Sequence, residues 1–109
     1  MVKKEINKIE KLLKELFKVR GISLDKVVLF GSSARGEETK DSDIDLILVS
    51  KHFRDKDIFE RASITGRIHR ELVRNIKKPF DILSYSDIEW EEGSSMMIDE
   101  AKKDGIIMG

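Results

Sequence analysis

The chain contains no cysteine. That excludes a disulfide framework and a thiolate metal centre. It carries no net charge, because 21 lysines and arginines balance 21 aspartates and glutamates. A broad electrostatic grip on nucleic acid is therefore not indicated, although a local patch stays open. No apolar run approaches membrane-spanning length, and no signal-peptide pattern opens the sequence. The expectation is a cytoplasmic protein without membrane attachment. There is one proline in 109 residues, and charged residues make up 39%. A composition rich in lysine and glutamate leans toward a heat-tolerant source. The length fits one domain, residues 1–109, small but able to bury a single core.

What is present is an alternation of helical and strand patterns, with no repeat, linker or low-complexity segment. Residues 3–19 place Ile6, Ile9, Leu13, Leu16 and Phe17 on one helical stripe, and Gly21 suits the stop. "KVVLF", residues 26–30, is continuously apolar and reads as a buried strand. "DIDLILVS", residues 43–50, is a second strand with an acidic start. Residues 57–76 carry Ile58, Ala62, Ile64, Ile68, Leu72 and Ile76 at helical spacing, despite Gly66. "FDILSY", residues 80–85, follows Pro79 as a third strand, and residues 94–105 read as a last helix closed by Gly105. The order helix, strand, short helix, strand, helix, strand, helix argues for a compact α/β domain with a small sheet.

The informative stretch is "LFGSSARGEETKDSDIDLILVS", residues 29–50. On a strand, positions i and i+2 face the same side, so Asp43 and Asp45 point together. Two carboxylates about 4 Å apart repel by about 1 kcal/mol in water and about 4 at a protein-like effective dielectric. A divalent cation with oxygen preference offsets this economically, and Mg²⁺ is the usual one beside phosphates. Asp81, second in its own strand, supplies a third ligand if the strands of residues 43–50 and 80–85 are neighbours. Upstream, Gly31 lets backbone approach a ligand closely, and Ser32 offers a hydroxyl and an N–H at the start of a short helix. Arg35 adds a charge suited to phosphate or to a carboxylate. A phosphate binder joined to an acidic metal site makes the two halves of a metal-assisted phosphoryl or nucleotidyl transfer centre.

Two similar motifs fail. Gly31 and Gly36 have Walker A spacing, but Glu37 and Glu38 stand where Lys and Ser/Thr are needed. "DSDID" begins like an EF-hand loop, but position six is Leu46 and position twelve is His52.

"GSSARGEETKDSDIDLILV" resembles the signature of the DNA polymerase β-like nucleotidyltransferases: Gly-Ser, a helical step, then Asp-x-Asp on a strand. The short length, the "ARG" and the "SDIDL" box look most like the minimal nucleotidyltransferases of bacteria and archaea. The similarity is strongest over residues 28–50 and extends more weakly through "FDILSYSD" to "IDEAKKDGII". It implies a small mixed β-sheet flanked by helices. It also implies that Gly31 and Ser32 hold the triphosphate of ATP, that Asp43 and Asp45 bind two Mg²⁺ ions, and that Asp81 binds the catalytic ion and helps deprotonate the acceptor. Arg35 joins the nucleotide-binding set. Ser33 stands where relatives often carry Arg. Many minimal nucleotidyltransferases accompany an all-helical HEPN toxin and neutralise it by adding adenylyl groups to a tyrosine, which makes this chain a candidate antitoxin. The larger relatives' acceptor-holding domain is missing, so a homodimer or hetero-oligomer would complete the acceptor side.

Two other functions stay open. One is a catalytically silent antitoxin acting by contact. The other is a stand-alone transferase acting on a small molecule or an RNA end. Neither His52 nor His69 lies in a metal-ligand pattern, and neither has the upstream Arg of a HEPN RNase, so both read as surface or helix residues. Trp90 is expected in a partly exposed packing role, and Met96, Met97 and Met108 in the core or at an interface.

Overall fold

The computed structural model describes residues 1–93 and 95–108. Helix α1 spans Lys3–Val19 and buries Ile9, Leu13 and Phe17, the centre of the expected stripe. Gly21, at φ +66°, turns the chain out of the helix, and the Ile22 N–H donates back to the Phe17 carbonyl at 3.1 Å. Strand β1 (Lys26–Phe30) follows, then the one-turn helix α2 (Ser32–Arg35), strand β2 (Ile44–Val49) and a short 3₁₀ turn at Lys51–Phe53. Helix α3 (Ile58–Ile76) leads to β3 (Phe80–Tyr85), α4 (Asp87–Glu92), α5 (Met96–Asp104) and the two-residue strand β4 (Ile106–Ile107).

The four strands form one mixed sheet in the order β3-β2-β1-β4. Strand β1 runs antiparallel to β2 and to β4, while β2 and β3 are parallel. Apart from Lys26 and Asp45, strands β1 and β2 are apolar, because helices cover both faces of the sheet. Val27, Leu29, Ile44, Leu46 and Leu48 pack with α1 and α3, against Ile9, Leu13, Phe17, Ile68 and Leu72. Val28, Phe30, Ile47 and Val49 turn to the other face, under Trp90 of α4 and Ile98 and Ala101 of α5. Each such fully buried side chain stabilises the fold by about 1.5–3 kcal/mol relative to exposure.

The structure departs from the sequence expectations in several places. Helix α3 carries both residues at the start of its expected stripe in solvent, because Ile58 is 75% exposed and Ala62 is exposed as well. At 100° per residue Ala62 lies about 120° round the helix from Ile68. The true inner face is Ile64, Ile68, Leu72 and Ile76. Arg61 occupies the inward position near the start of α3. Its guanidinium donates to the carbonyls of Phe53, Lys56 and Ser84 and pairs with Glu89 at 2.7 Å. Trp90 is buried, with Lys102 Nζ 5.2 Å from its ring centroid, rather than partly exposed. Met108 is buried as expected, whereas Met96 is 80% exposed. The last helix starts at Met96 with Ser95 as its cap, and Ser94, included in the expected helix, lies outside the described residues. Among the described residues no helix is long and apolar enough to cross a membrane.

Helix α4 is held by its first turn. The Ser86 hydroxyl accepts the Glu89 N–H at 3.1 Å, and the Glu89 carboxylate accepts the Ser86 N–H at 2.8 Å, a reciprocal capping box. Ser86 is buried, so water does not replace the lost bond. Ser86→Ala is expected to cost about 1 kcal/mol. That corresponds to a fall of about 5 °C in Tm by differential scanning calorimetry. An unchanged Tm would show that α4 does not depend on its cap.

Candidate active site

The site is built at the end of the sheet where β1 finishes and β2 begins. Strand β2 is central, so each of its residues has a neighbour on both sides. Asp45 lies opposite Phe30 on β1 and opposite Asp81 on β3. Side chains directly opposite on adjacent strands start about 4.8 Å apart and face the same way. Ile44 and Phe80, the preceding pair, turn to the other face and are buried in the main core. That alternation fixes which side the acids occupy: burying Ile44 and Phe80 obliges Asp45 and Asp81 to share the opposite face. Asp43, the first residue of the strand expected from the sequence, lies one residue before β2 and precedes the first ladder pair, and it is exposed. Asp81 is exposed and Asp45 half-buried.

The electrostatics follow from this packing. Burial pushes the Asp45 carboxyl above its ordinary value, and the charges of Asp81 and then Asp43 push it further the same way. Arg35 pulls it back down. Asp45 is thus the carboxylate with most to gain from a cation. The donor set is oxygen only, which fits a hard divalent ion such as Mg²⁺. Among the described residues no three carboxylate or imidazole groups are already gathered at ligand distance, so an ion would draw the exposed Asp43 and Asp81 side chains in toward Asp45.

The glycine-serine turn abuts the same carboxylate. Gly31 has φ +69° and ψ −151°, a conformation essentially restricted to glycine. A Cβ built there would lie 2.5 Å from Asp45 Oδ2. The Gly31 carbonyl then accepts the N–H groups of Ala34 and Arg35 at 3.2 and 3.3 Å, starting α2. The earlier N–H groups of a helix have no partner within it, and here they belong to Ser32 and Ser33. The Ser33 side chain is buried. Arg35 is exposed and donates to Glu37 at 3.1 Å. The sequence-predicted residues Gly31, Ser32, Arg35, Asp43, Asp45 and Asp81 therefore all lie around one end of the sheet.

Two supporting contacts go beyond the sequence expectations. His69 is exposed on α3, as expected, but its Nε2–H donates to the Phe80 carbonyl at 2.9 Å, on the residue before Asp81. The Ser42 hydroxyl accepts the Thr39 N–H at 2.9 Å and meets the Thr39 hydroxyl at 3.0 Å, closing the turn that delivers Asp43. The first joins residues far apart in sequence. The second has a local signal, the Thr-x-x-Ser spacing, which the strand assignment passed over.

The family model for a nucleotidyltransferase domain matches residues 6–108. The chain belongs to this nucleotidyltransferase family. Over 47 residues the domain is 45% identical to a Methanocaldococcus jannaschii protein named "Putative protein adenylyltransferase MJ1379". That match covers 43% of this chain and 42% of the relative, so the chain spans less than half the length of the curated relative it matches. A crystal structure described as "a putative nucleotidyltransferase" from Sulfolobus solfataricus superposes with a TM-score of 0.62 at 24% identity, over 95% of this chain and 82% of that one. A toxin–antitoxin structure with AMP-PNP superposes with a TM-score of 0.64 at 19% identity, over 92% of this chain and 72% of that one. A mutant of the toxin–antitoxin MntA-HpeT gives 0.62 at 16% identity, over 92% and 71%. These likenesses establish the fold, a mixed sheet with helices of the polymerase β-like nucleotidyltransferase type.

Proposed function

We propose that this nucleotidyltransferase domain transfers AMP from ATP to a hydroxyl group on a partner protein, and that it serves as the antitoxin of an all-helical HEPN-type toxin. The observation that carries the reading is the register of Asp45 against Asp81, with the Gly31 backbone pressed against the Asp45 carboxylate. The adenylyltransferase name of the curated relative supports the reaction class. The AMP-PNP and toxin–antitoxin assemblies among the structural neighbours support the donor and the partner.

The residues divide the work as follows. The Ser32 hydroxyl and the first N–H groups of α2 bind the triphosphate oxygens, and Gly31 leaves them room to approach. Arg35 exchanges its exposed contact with Glu37 for phosphate. Asp43, Asp45 and Asp81 are the residues that would hold Mg²⁺, two ions in the reading from the sequence. Bound metal there supplies charge neutralisation on the phosphates and activation of the attacking oxygen. The acceptor oxygen bonds to the α-phosphorus, the bond to the bridging oxygen breaks, and pyrophosphate leaves. Asp81, the most open of the strand carboxylates, accepts the hydroxyl proton.

The test incubates the purified chain with Mg²⁺, ATP labelled at the α-phosphate, and a HEPN-type protein. Label is expected in covalent attachment to the partner, resistant to denaturation and mapping to a side-chain hydroxyl. Neutralisation of the toxin with no label on it would replace this reading with neutralisation by contact. Label arriving only in RNA or small molecules would replace it with a stand-alone transferase.

A further inference from the structure

Strand β3 ends the sheet order, so among the described residues its far edge pairs with no strand. In a parallel pair, alternate residues turn their backbone groups toward the partner strand. The Pro79 carbonyl accepts the Ile44 N–H and the Tyr85 carbonyl accepts the Ser50 N–H, so the carbonyls of Phe80, Ile82 and Ser84 face the open edge. Side chains of α3 take two of them. Arg61 Nη1 donates to the Ser84 carbonyl at 3.1 Å, and His69 Nε2 donates to the Phe80 carbonyl at 2.9 Å. The spacings match. The helical rise from residue 61 to residue 69 is about 12 Å, and the strand from residue 80 to residue 84 covers about 13 Å. Helix α3 therefore runs back along β3 and clasps its edge twice.

The two clasps differ. Arg61 is partly buried and also holds the Phe53 and Lys56 carbonyls and the Glu89 carboxylate, so it ties several elements together. The His69 bond falls on the peptide unit that joins Phe80 to Asp81. A trans peptide unit is planar and stiff, with its carbonyl and N–H pointing opposite ways. The Phe80 carbonyl is held from outside while the Asp81 N–H turns toward β2, so the unit that carries the Asp81 Cα is fixed on both sides. That end of β3 has little other support. Its connection to α3 is only residues 77–79, and Pro79 has no N–H to donate. It also bears a load. Asp45 and Asp81 stand directly opposite each other on neighbouring strands, and like charges so placed push apart.

We propose that His69 is a positioning residue for nucleotidyl transfer: by gripping the Phe80 carbonyl it holds Asp81 beside Asp45, so that both stay available to one divalent ion. The inference rests on the transfer reading of the site and adds to it a residue that touches neither nucleotide nor metal. It concerns Asp81 alone, because Gly31 and Ser32 are set by their own turn and Asp45 by the central strand. Acids held in place before an ion arrives lose less freedom when it binds, which is the value of a fixed geometry in catalysis.

Two variants separate this role from support of the fold. His69→Leu removes the donor and keeps the bulk, while His69→Gln returns an N–H donor at similar reach. His69→Leu is expected to lower kcat for AMP transfer about tenfold, the worth of one hydrogen bond, with KM for ATP unchanged. His69→Gln should recover most of that rate. A second readout needs no catalysis. In the metal-free protein the Asp81 backbone amide signal senses the bond on the preceding carbonyl, so it should move in His69→Leu and hold its place in His69→Gln. Mn²⁺, titrated against the broadening of that signal, should bind His69→Leu about tenfold more weakly than the native chain. Native kcat and native Mn²⁺ affinity in His69→Leu overturn the proposal. So does a His69→Gln variant as impaired as His69→Leu, which would make the ring a packing element only. A native chain that binds Mn²⁺ at residue 81 but transfers no AMP defeats the transfer reading instead, and the Mn²⁺ affinities then decide the role of His69. A native chain that binds no Mn²⁺ there defeats both.

Discussion

Asp45→Asn is expected to abolish nucleotidyl transfer and to make the protein more stable at neutral pH. The two effects share one cause. The Asp45 carboxyl is raised above its ordinary value by burial and by the charges of Asp81 and Asp43. A carboxyl with a raised folded pKa binds more protons folded than unfolded between the two values. Stability therefore falls as pH climbs from near the unfolded value of about 3.8 through the higher folded value, and stays lowered above it. An asparagine escapes that penalty. Repulsion among partly solvated carboxylates is worth about 1 kcal/mol after screening. The variant should then melt about 5 °C higher at pH 7.5 and show no advantage at pH 3. Losing a carboxylate that would hold the metal removes several kcal/mol of transition-state stabilisation, and about 4 kcal/mol is a thousandfold in rate. Paired melts at the two pH values, with a labelled-AMP transfer assay, check both. A variant that melts lower at pH 7.5 would show that Asp45 is a structural partner. One that still transfers AMP would remove it from the chemistry. The Asp43→Asn, Asp45→Asn double variant should lose transfer completely and keep its circular dichroism.

Gly31→Ala is expected to damage both fold and site. Alanine at φ +69° and ψ −151° is strained by about 3 kcal/mol. Its methyl group would also arrive 2.5 Å from Asp45 Oδ2. The carboxylate can rotate away, but only by leaving the position from which it faces Asp81. A fall of about 15 °C in Tm follows from the strain, and a loss of transfer follows from the displaced acid. Gly36 supplies the control. It too has positive φ, at 69°, but in the left-handed helical region with ψ 23°, and a Cβ there meets nothing within 4 Å. Gly36→Ala should cost about 1–2 kcal/mol and leave the transfer rate per folded molecule unchanged. Equal behaviour of the two variants would show that the Gly31 turn serves the fold alone.

The site was more legible than parts of the fold, for a physical reason. Metal and phosphate chemistry needs particular residue types at short spacing, and Gly31, Ser32, Asp43 and Asp45 sit within one stretch. Placing Asp81 beside them required only that two apolar strands be neighbours. Elements that depend on distant packing were harder. Strand β4 is two residues long and exists because Val28 and Leu29 offer an open edge. Helix α4 spans six residues and has one buried anchor, Trp90, among acids. Its real signal was Ser86 with Glu89 three residues later, a capping box rather than a periodic stripe. In α3 the count of apolar residues at steps of four drifted round the helix, so Ile58 and Ala62 were assigned to a face that Arg61 occupies. Gly105 closes α5 without a left-handed turn. It is excluded from carrying a side chain because a Cβ would fall 2.3 Å from the Ala101 carbonyl oxygen and 2.9 Å from Val28 Cγ1. No local pattern carries that information.

The Gly31–Ser32 turn and the carboxylates of Asp43, Asp45 and Asp81 are proposed to form one metal–nucleotide site. Mn²⁺ substituted for Mg²⁺, with a non-hydrolysable ATP analogue, tests it through paramagnetic broadening of backbone amide signals. Broadening is expected to begin at residues 31–33, 43–45 and 81 together, and to vanish in Asp45→Asn. Broadening centred elsewhere, or reaching residues 43–45 while sparing residue 81, would contradict it.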